Sequence, residues 1–126
     1  MTTKAHFKEI HPVLPVQDVK KALNYYIEKL GFNYAFSDDK DHPYYAGVRR
    51  DNIEIHLQWH DAKEWEVEVD RPLLRFVVEN IEVLYDEYKD KDVFHPQTSL
   101  KETAWGTREF AFYDPYKNGL TFYVDL

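Results

Sequence analysis

The chain has 126 residues, no cysteine, and a formal net charge of −7 from 16 basic and 23 acidic side chains. The absence of cysteine excludes disulfide frameworks, cysteine-based zinc sites, thiolate nucleophiles and iron–sulfur clusters. The acidic balance argues against general nucleic-acid binding, which needs a basic surface, and it favours a cationic ligand. A hydrophobic fraction of 44%, rich in tyrosine and phenylalanine, predicts a folded domain.

Targeting and membrane signals are not found in this sequence. No apolar run approaches the ~20 residues that a membrane span needs. The first residues lack the apolar core of a signal peptide. We therefore expect a cytoplasmic protein that has neither a membrane nor a nucleic acid as partner.

The first half of the chain predicts a strand, a helix and then three strands. Asp18 is a suitable N-cap for the helix, and Gly31 stands where a left-handed C-cap prefers glycine. The apolar positions of this helix recur at the helical period: Val19, Ala22, Leu23, Tyr26, Ile27 and Leu30. Residues 44–49 and 53–59 flank Asp51-Asn52 and predict a hairpin.

The strand 53–59 has one polar face, formed by Glu54, His56 and Gln58. Two interpretations remain open for it. It is either a half-solvated sheet face, or a site where Glu54 and His56 share a ligand or an ion. His56 and His60 lie about 13 Å apart on a strand, too far to bind one ion together.

The second half repeats the pattern of the first. Asp18 and Asn80 are separated by 62 residues, as are Val16 and Val78, and Tyr26 and Tyr88. Asn80 is a second suitable N-cap. This constant separation predicts a duplicated module. We expect one α+β domain over residues 1–126, with modules at about residues 6–60 and 71–126 that each contain a strand, a helix and three strands.

Three tryptophans, Trp59, Trp65 and Trp105, have two interpretations. They pack in the core or an interface, or they stack on a planar or cationic ligand. Nucleophile chemistry is disfavoured because neither serine lies in a G-x-S-x-G motif. The four glycines form neither a dinucleotide fingerprint nor a phosphate-binding loop.

Three stretches carry a resemblance to a known family. They are residues 13–32 with Tyr25-Tyr26 and Leu30-Gly31-Phe32, residues 45–57, and residues 105–120 with Trp105-Gly106-Thr107-Arg108-Glu109-Phe110, Asp114-Pro115 and Asn118. Together they resemble the vicinal oxygen chelate superfamily and, within it, the group of bleomycin resistance and glyoxalase-like proteins. Lys117 departs from the pattern, which has glycine in this turn.

The resemblance implies two βαβββ modules with curled mixed sheets, in a homodimer that exchanges modules between chains. Ligand crevices would then form between the first module of one chain and the second module of the other. The duplication at a separation of 62 residues agrees with this expectation.

The resemblance also implies where a metal would bind. The four ligand positions of metal-dependent members fall on His11, Glu54, Leu73 and Thr121. Leucine and threonine are poor ligands for a catalytic divalent ion. We therefore expect no metal cofactor. If a metal is bound, His11 and Glu54 would hold it, with His56 as a compensating ligand.

The resulting hypothesis is a protein that binds a bulky, cationic, partly aromatic compound of the bleomycin type without turnover. The expected ligand contacts are Trp59, Trp65, Trp105, Glu54, His56, Gln58, Arg108, Thr121 and Tyr123. Arg108 and Glu109 are neighbours on a strand, so only one of them faces the crevice. The alternatives are a metal-dependent enzyme of the glyoxalase or dioxygenase type that uses His11 and Glu54, and a relative with an unrelated small ligand.

Overall fold

The computed structural model describes residues 4–126 as two modules of the same topology. The first contains β1 (Val13–Val16), α1 (Val19–Asn24), a π-helical turn (Tyr25–Lys29), β2 (Asn33–Ser37), β3 (Tyr45–Arg50) and β4 (Ile53–Trp59). The second contains β5 (Leu73–Val77), α2 (Ile81–Lys89), β6 (Lys101–Glu102), β7 (Thr107–Tyr113) and β8 (Gly119–Asp125). A short 3-10 helix, Ala62–Trp65, lies between them.

Each module forms one four-stranded mixed sheet. The strand orders are β1-β4-β3-β2 and β5-β8-β7-β6, with the pairs β1/β4 and β5/β8 parallel and the others antiparallel. This confirms the predicted α+β architecture. In the parallel pairs, Val13 lies opposite His56 and Arg75 lies opposite Thr121. The sequence separation between paired residues is therefore larger in the second module than in the first.

The helix ends match the sequence in part. Asp18 caps α1 by accepting a hydrogen bond from the Lys21 amide at 3.0 Å, as predicted. Gly31 has a φ of +78°, the left-handed conformation expected of it. The prediction of Asn80 as a side-chain cap is wrong: its φ is +57° and its side chain makes no capping bond. A side-chain cap needs an extended backbone, and the left-handed one does not present the amide oxygen to the first turn.

One face of each sheet is covered by the helix of its module. Strand alternation sends the apolar side chains of the first sheet toward α1 and those of the second toward α2. The buried sets include Leu14, Val48, Ile55 and Leu57, and Phe76, Phe110, Leu120 and Phe122. The opposite face of each sheet is left uncovered by its own module.

Helices and strand ends join the two modules. The Tyr26 hydroxyl donates to Asp114 Oδ2 at 2.8 Å, and the Tyr88 hydroxyl donates to the Leu30 carbonyl at 2.7 Å. The Asn118 side-chain amide donates to the Pro15 carbonyl. Burial raises the pKa of Asp114, although the donors from Asn118 and Tyr26 oppose that shift. The modules are therefore joined on the sides away from the uncovered sheet faces.

Neither helix within residues 4–126 has the length and apolar character needed to cross a bilayer.

Candidate functional site

The uncovered faces of the two sheets carry most of the predicted site residues. The first open face consists of His11 and the outward side chains of β3 and β4: Tyr45, Arg49, Glu54, His56 and Gln58. The second open face consists of the corresponding side chains of β5, β7 and β8: Leu73, Arg75, Thr107, Glu109, Ala111, Tyr113, Thr121 and Tyr123.

Glu54 is the centre of the first open face. Its Oε2 lies 2.8 Å from His56 Nε2 and 3.7 Å from His11 Nε2, and its Oε1 accepts from Arg49 at 2.9 Å. The hydrogen bond with His56 is the main cause that lowers the pKa of Glu54, and Arg49 adds to it. Glu54 is therefore an ionised acceptor that three cationic or donor side chains surround.

An aromatic wall fixes the orientation of His56. The Tyr45 hydroxyl lies 2.8 Å from His56 Nδ1, the Phe36 ring packs edge-on at 5.0 Å, and the His11 ring lies 4.7 Å away. Phe36 reaches this position because Gly47 lies beneath it: a Cβ at Gly47 would come within 2.3 Å of the Phe36 ring. The imidazole of His56 is thus held between an acidic and a phenolic partner.

The first open face has the donor types of a metal site. One ligand atom from each of His11, Glu54 and His56 lies within 4.8 Å of the other two. Two imidazoles and a carboxylate suit zinc, iron or nickel. These residues would hold such an ion, although Arg49 competes for the carboxylate. An ion there would act as a Lewis acid on an oxygen ligand.

The matching positions of the second open face carry no such donors. Leu73 is opposite Gly119 in the β5/β8 register, so Gly119, rather than Thr121, matches the place of Glu54. The Leu73 side chain leans over this glycine: an added Cβ would meet Leu73 Cδ1 at 2.6 Å. The expected metal position on Thr121 is thus displaced by two residues, and neither residue is a suitable ligand.

An ion pair between Arg75 and Glu109 crosses the second open face. Glu109 Oε2 accepts from the Thr107 hydroxyl at 2.8 Å and lies 3.3 Å from Arg75 Nη2. The Arg75 guanidinium lies over the Tyr123 ring, 4.3 Å from its centroid. Strand alternation therefore places Glu109, and not Arg108, on the open face.

A cavity of about 430 Å³ opens on the second open face. Ala111, Gly119 and Thr121 are among its lining residues, together with Leu73, Tyr113 and residues of the segment 95–101. This volume lies in the range of small-molecule sites. A larger cavity of about 760 Å³ lies between the β3–β4 turn and α2, where Arg50 and Glu87 form an ion pair. That cavity belongs to the junction between modules.

The remaining predicted contacts lie apart from the open faces. Arg108 is paired with Glu82 and Glu102 on the helix side of β7, which corrects its assignment as a ligand contact. Trp65 donates to the Tyr116 carbonyl at 2.8 Å and lies under the Arg71 guanidinium, so it secures the connection between modules.

Trp59 and Trp105 are both exposed. Trp59 lies at the end of β4, on the strand face opposite Glu54, and packs edge-on against Tyr44. Trp105 is 68% exposed in the turn between β6 and β7. Of the three tryptophans, Trp105 has the most freely accessible indole.

The family model of the glyoxalase/bleomycin resistance protein/dioxygenase superfamily matches residues 9–122. The chain belongs to this superfamily. Bleomycin resistance proteins from Geobacillus stearothermophilus and Staphylococcus aureus are 34% identical to it over 130 aligned positions, which cover 91% of this chain and 95% of theirs.

Solved structures of the family share the fold. The bleomycin-binding protein from Streptomyces verticillus, in complex with copper(II)-bleomycin, matches with a TM-score of 0.76 and 25% identity over 94% of this chain and 97% of that one. A bleomycin resistance determinant encoded on the transposon Tn5 matches with a TM-score of 0.78 and 16% identity, over 94% and 98% of the two chains.

Seven residues of the open faces were not among the predicted contacts or metal positions: Tyr45, Arg49, Arg75, Thr107, Glu109, Ala111 and Tyr113. For the two charged residues of the second face a signal was present. Arg75 alternates with Leu74 and Phe76, and Glu109 precedes the apolar Phe110 on a strand. Strict alternation from these apolar neighbours places both charged side chains on the face opposite the core.

Proposed function

We propose that the protein binds and sequesters a bulky, cationic, partly aromatic compound of the bleomycin type without turnover. Two copies assemble so that the first open face of one chain lies opposite the second open face of the other, and each resulting crevice holds one ligand. The match to bleomycin resistance proteins at 34% identity over 91% of this chain is the main support for this ligand class.

The exposure of apolar side chains on the open faces supports a composite crevice. Leu73 and Tyr113, on the second open face, are each more than half exposed. Apolar groups clustered on one face are typical of surfaces that a partner or a ligand covers. The cavity of 430 Å³ is large enough for part of a bulky ligand, and the opposite face would enclose the rest.

The two faces differ in chemistry, and together they suit the cationic part and the aromatic part of such a ligand. Glu54, His56 and Gln58 provide a polar floor with hydrogen-bond acceptors. The second face adds the aromatic ring of Tyr123 and the hydroxyl of Thr121. Trp105, exposed in the turn before β7, offers a further stacking surface for a planar ring.

Calorimetric titration with bleomycin tests this function. We expect binding of one ligand per chain with a Kd of about 1 μM or tighter, which corresponds to about −8 kcal/mol. The dimer is tested on the same sample by sedimentation. Absence of heat and of any protein-detected NMR shift at tens of micromolar ligand would overturn the proposal.

The cluster of His11, Glu54 and His56 favours a second candidate, a metal-dependent enzyme of the glyoxalase or dioxygenase type. Elemental analysis of protein purified without chelators discriminates between the two. About one zinc, nickel, iron or manganese ion per chain, lost in His11→Ala and His56→Ala, would favour the enzyme. Protein without a stoichiometric metal that still binds bleomycin would exclude this candidate.

A further inference from the structure

Glu109 is a fixed anion on the second open face. Its side chain is only 12% exposed, although it points to the uncovered side of the sheet. The Thr107 hydroxyl holds Oε2 at 2.8 Å. A buried carboxylate needs a positive partner, because an unpaired charge in such a place is strongly destabilising.

Arg75 provides that positive charge from a loosely held side chain. It is 42% exposed, reaches Glu109 with one contact of 3.3 Å, and extends from β5, a strand at the edge of the sheet. Its guanidinium also lies 4.3 Å from the centroid of the Tyr123 ring. A carboxylate beside an aromatic ring is the pair of groups that recognises organic cations.

The two partners therefore differ in mobility. The anion and the ring belong to the central part of the sheet, where β8 and β7 pair along their length. The cation is carried by a long side chain that can turn into solvent without moving the backbone. A ligand cation that replaced it would keep Glu109 paired, so no buried charge would be left uncompensated.

We propose that Glu109 and Tyr123 form a subsite for an organic cation, a guanidinium or ammonium group, which Arg75 occupies from within the chain until a ligand displaces it. For the bleomycin-type ligand this rests on the proposed function. Arg75 is then a specificity-determining residue that lowers the affinity for ligand cations, and its removal strengthens their binding.

The subsite is tested first without bleomycin, by NMR titration with methylguanidinium chloride. In Arg75→Ala we expect saturable shifts of the amides of residues 107–111 and 121–123, with a Kd on the order of 10 mM, typical of an exposed cation–π and ion-pair site. Binding to the unaltered protein should be at least tenfold weaker. It should be lost in the double variant Arg75→Ala/Glu109→Gln. Equal shifts in all three proteins, or none in Arg75→Ala, would overturn the subsite.

Calorimetry with bleomycin tests the competition. Arg75→Met retains the apolar stem, and we expect it to bind bleomycin about tenfold more tightly. Arg108→Met is the control: Arg108 is also an arginine paired with glutamates, Glu82 and Glu102, but it lies on the helix side of β7, outside both open faces. A gain confined to Arg75→Met supports the proposal. Unchanged or weaker binding by Arg75→Met, or an equal gain in Arg108→Met, contradicts it.

Thermal melts and circular dichroism establish that each variant is folded. If bleomycin binds to none of the proteins, the proposed function fails, while the methylguanidinium titration still decides whether the cation subsite exists. The two failures are therefore distinguishable.

Discussion

The two open faces have the same strand topology and different chemistry. In the first module, His11 and Glu54 lie close to His56 and form a connected polar cluster. In the second, Leu73 covers Gly119 and leaves an apolar floor beside one ion pair. The two modules share the same backbone pairing, whereas their side chains differ. The difference shows that a crevice built from both faces would offer a ligand one polar wall and one apolar wall.

The faces also show how overall charge differs from local charge. Each face has one glutamate that is mostly buried and one arginine that is paired with it. The net charge of −7 therefore does not by itself make either face acidic. Recognition of a cation depends on whether the ligand can replace an arginine at its glutamate.

The largest effects are expected from filling the crevice. Ala111→Trp on the second open face and Gln58→Trp on the first each place a large ring where the ligand would lie. Both positions are exposed, so the core is not overpacked. We expect each variant to weaken bleomycin binding about 100-fold, or about 2.7 kcal/mol, in calorimetric titrations.

A tryptophan at Val83, an exposed position on α2, is the control for these two variants. It adds the same ring outside both open faces and should leave the affinity unchanged. If Val83→Trp weakens binding as strongly as Ala111→Trp, the ligand does not lie between the open faces.

The next effect concerns the junction that fixes one module against the other. Tyr26→Phe removes the hydroxyl that donates to the buried Asp114. We expect a loss of about 1–2 kcal/mol in the free energy of unfolding, because the carboxylate loses one donor. Urea unfolding followed by circular dichroism measures it. Tyr34→Phe is the matched control: Tyr34 is exposed, its hydroxyl contacts Ser37, and its loss should cost much less.

A smaller effect tests the packing of Leu73 over Gly119. Gly119→Ala forces the end of the Leu73 side chain to move, because the new Cβ would lie 2.6 Å from it. That side chain is 64% exposed and can yield, so we expect a loss of about 1 kcal/mol or less. Leu73→Ala in the same protein should restore the stability. A loss that persists in the double variant would show that Leu73 is not the cause.

The smallest expected effect is a pH dependence of the stability, which arises from the ion pairing of Glu54 on the first open face. The pKa of Glu54 is lowered in the folded state, so its contribution to stability is present above the ordinary value of 4.5 and is lost as the pH falls through the folded value. The difference in stability between the unaltered protein and Glu54→Gln, measured by urea unfolding, should shrink steadily below pH 4.5. A difference that stays constant down to pH 3 would contradict the ion pairing of Glu54.

Most of the fold could be predicted from the sequence. The apolar stripe before Leu30 predicted the first helix, and the turn at Asp51-Asn52 predicted the hairpin. The recurrence of a capping residue type at Asp18 and Asn80 predicted that the second half repeats the first. The side-chain cap at Asn80 was predicted wrongly, because a left-handed backbone cannot be recognised from residue type alone.

The site was predicted less completely than the fold. Alternation identified Glu54 and His56, whose strand pattern is regular. The tertiary partners of the tryptophans could not be derived, since Trp65 contacts Tyr116, which is 51 residues away. The resemblance placed the fourth ligand position on Thr121, and a separation of 62 residues would match Glu54 with Tyr116. The match with Gly119 follows only from the strand register, because the second module is longer between its parallel strands.

Complementation between variants tests the composite crevice most directly. Gln58→Trp and Ala111→Trp each block one face, so neither protein alone should bind bleomycin at the concentrations that saturate the unaltered protein. In a heterodimer of the two, one crevice carries both substitutions and the other carries neither. Refolding an equal mixture should therefore restore bleomycin binding with unaltered affinity in calorimetric titration, at about one site per heterodimer. Binding that stays absent in a mixture shown by mass spectrometry to contain heterodimers would contradict a crevice shared between two chains.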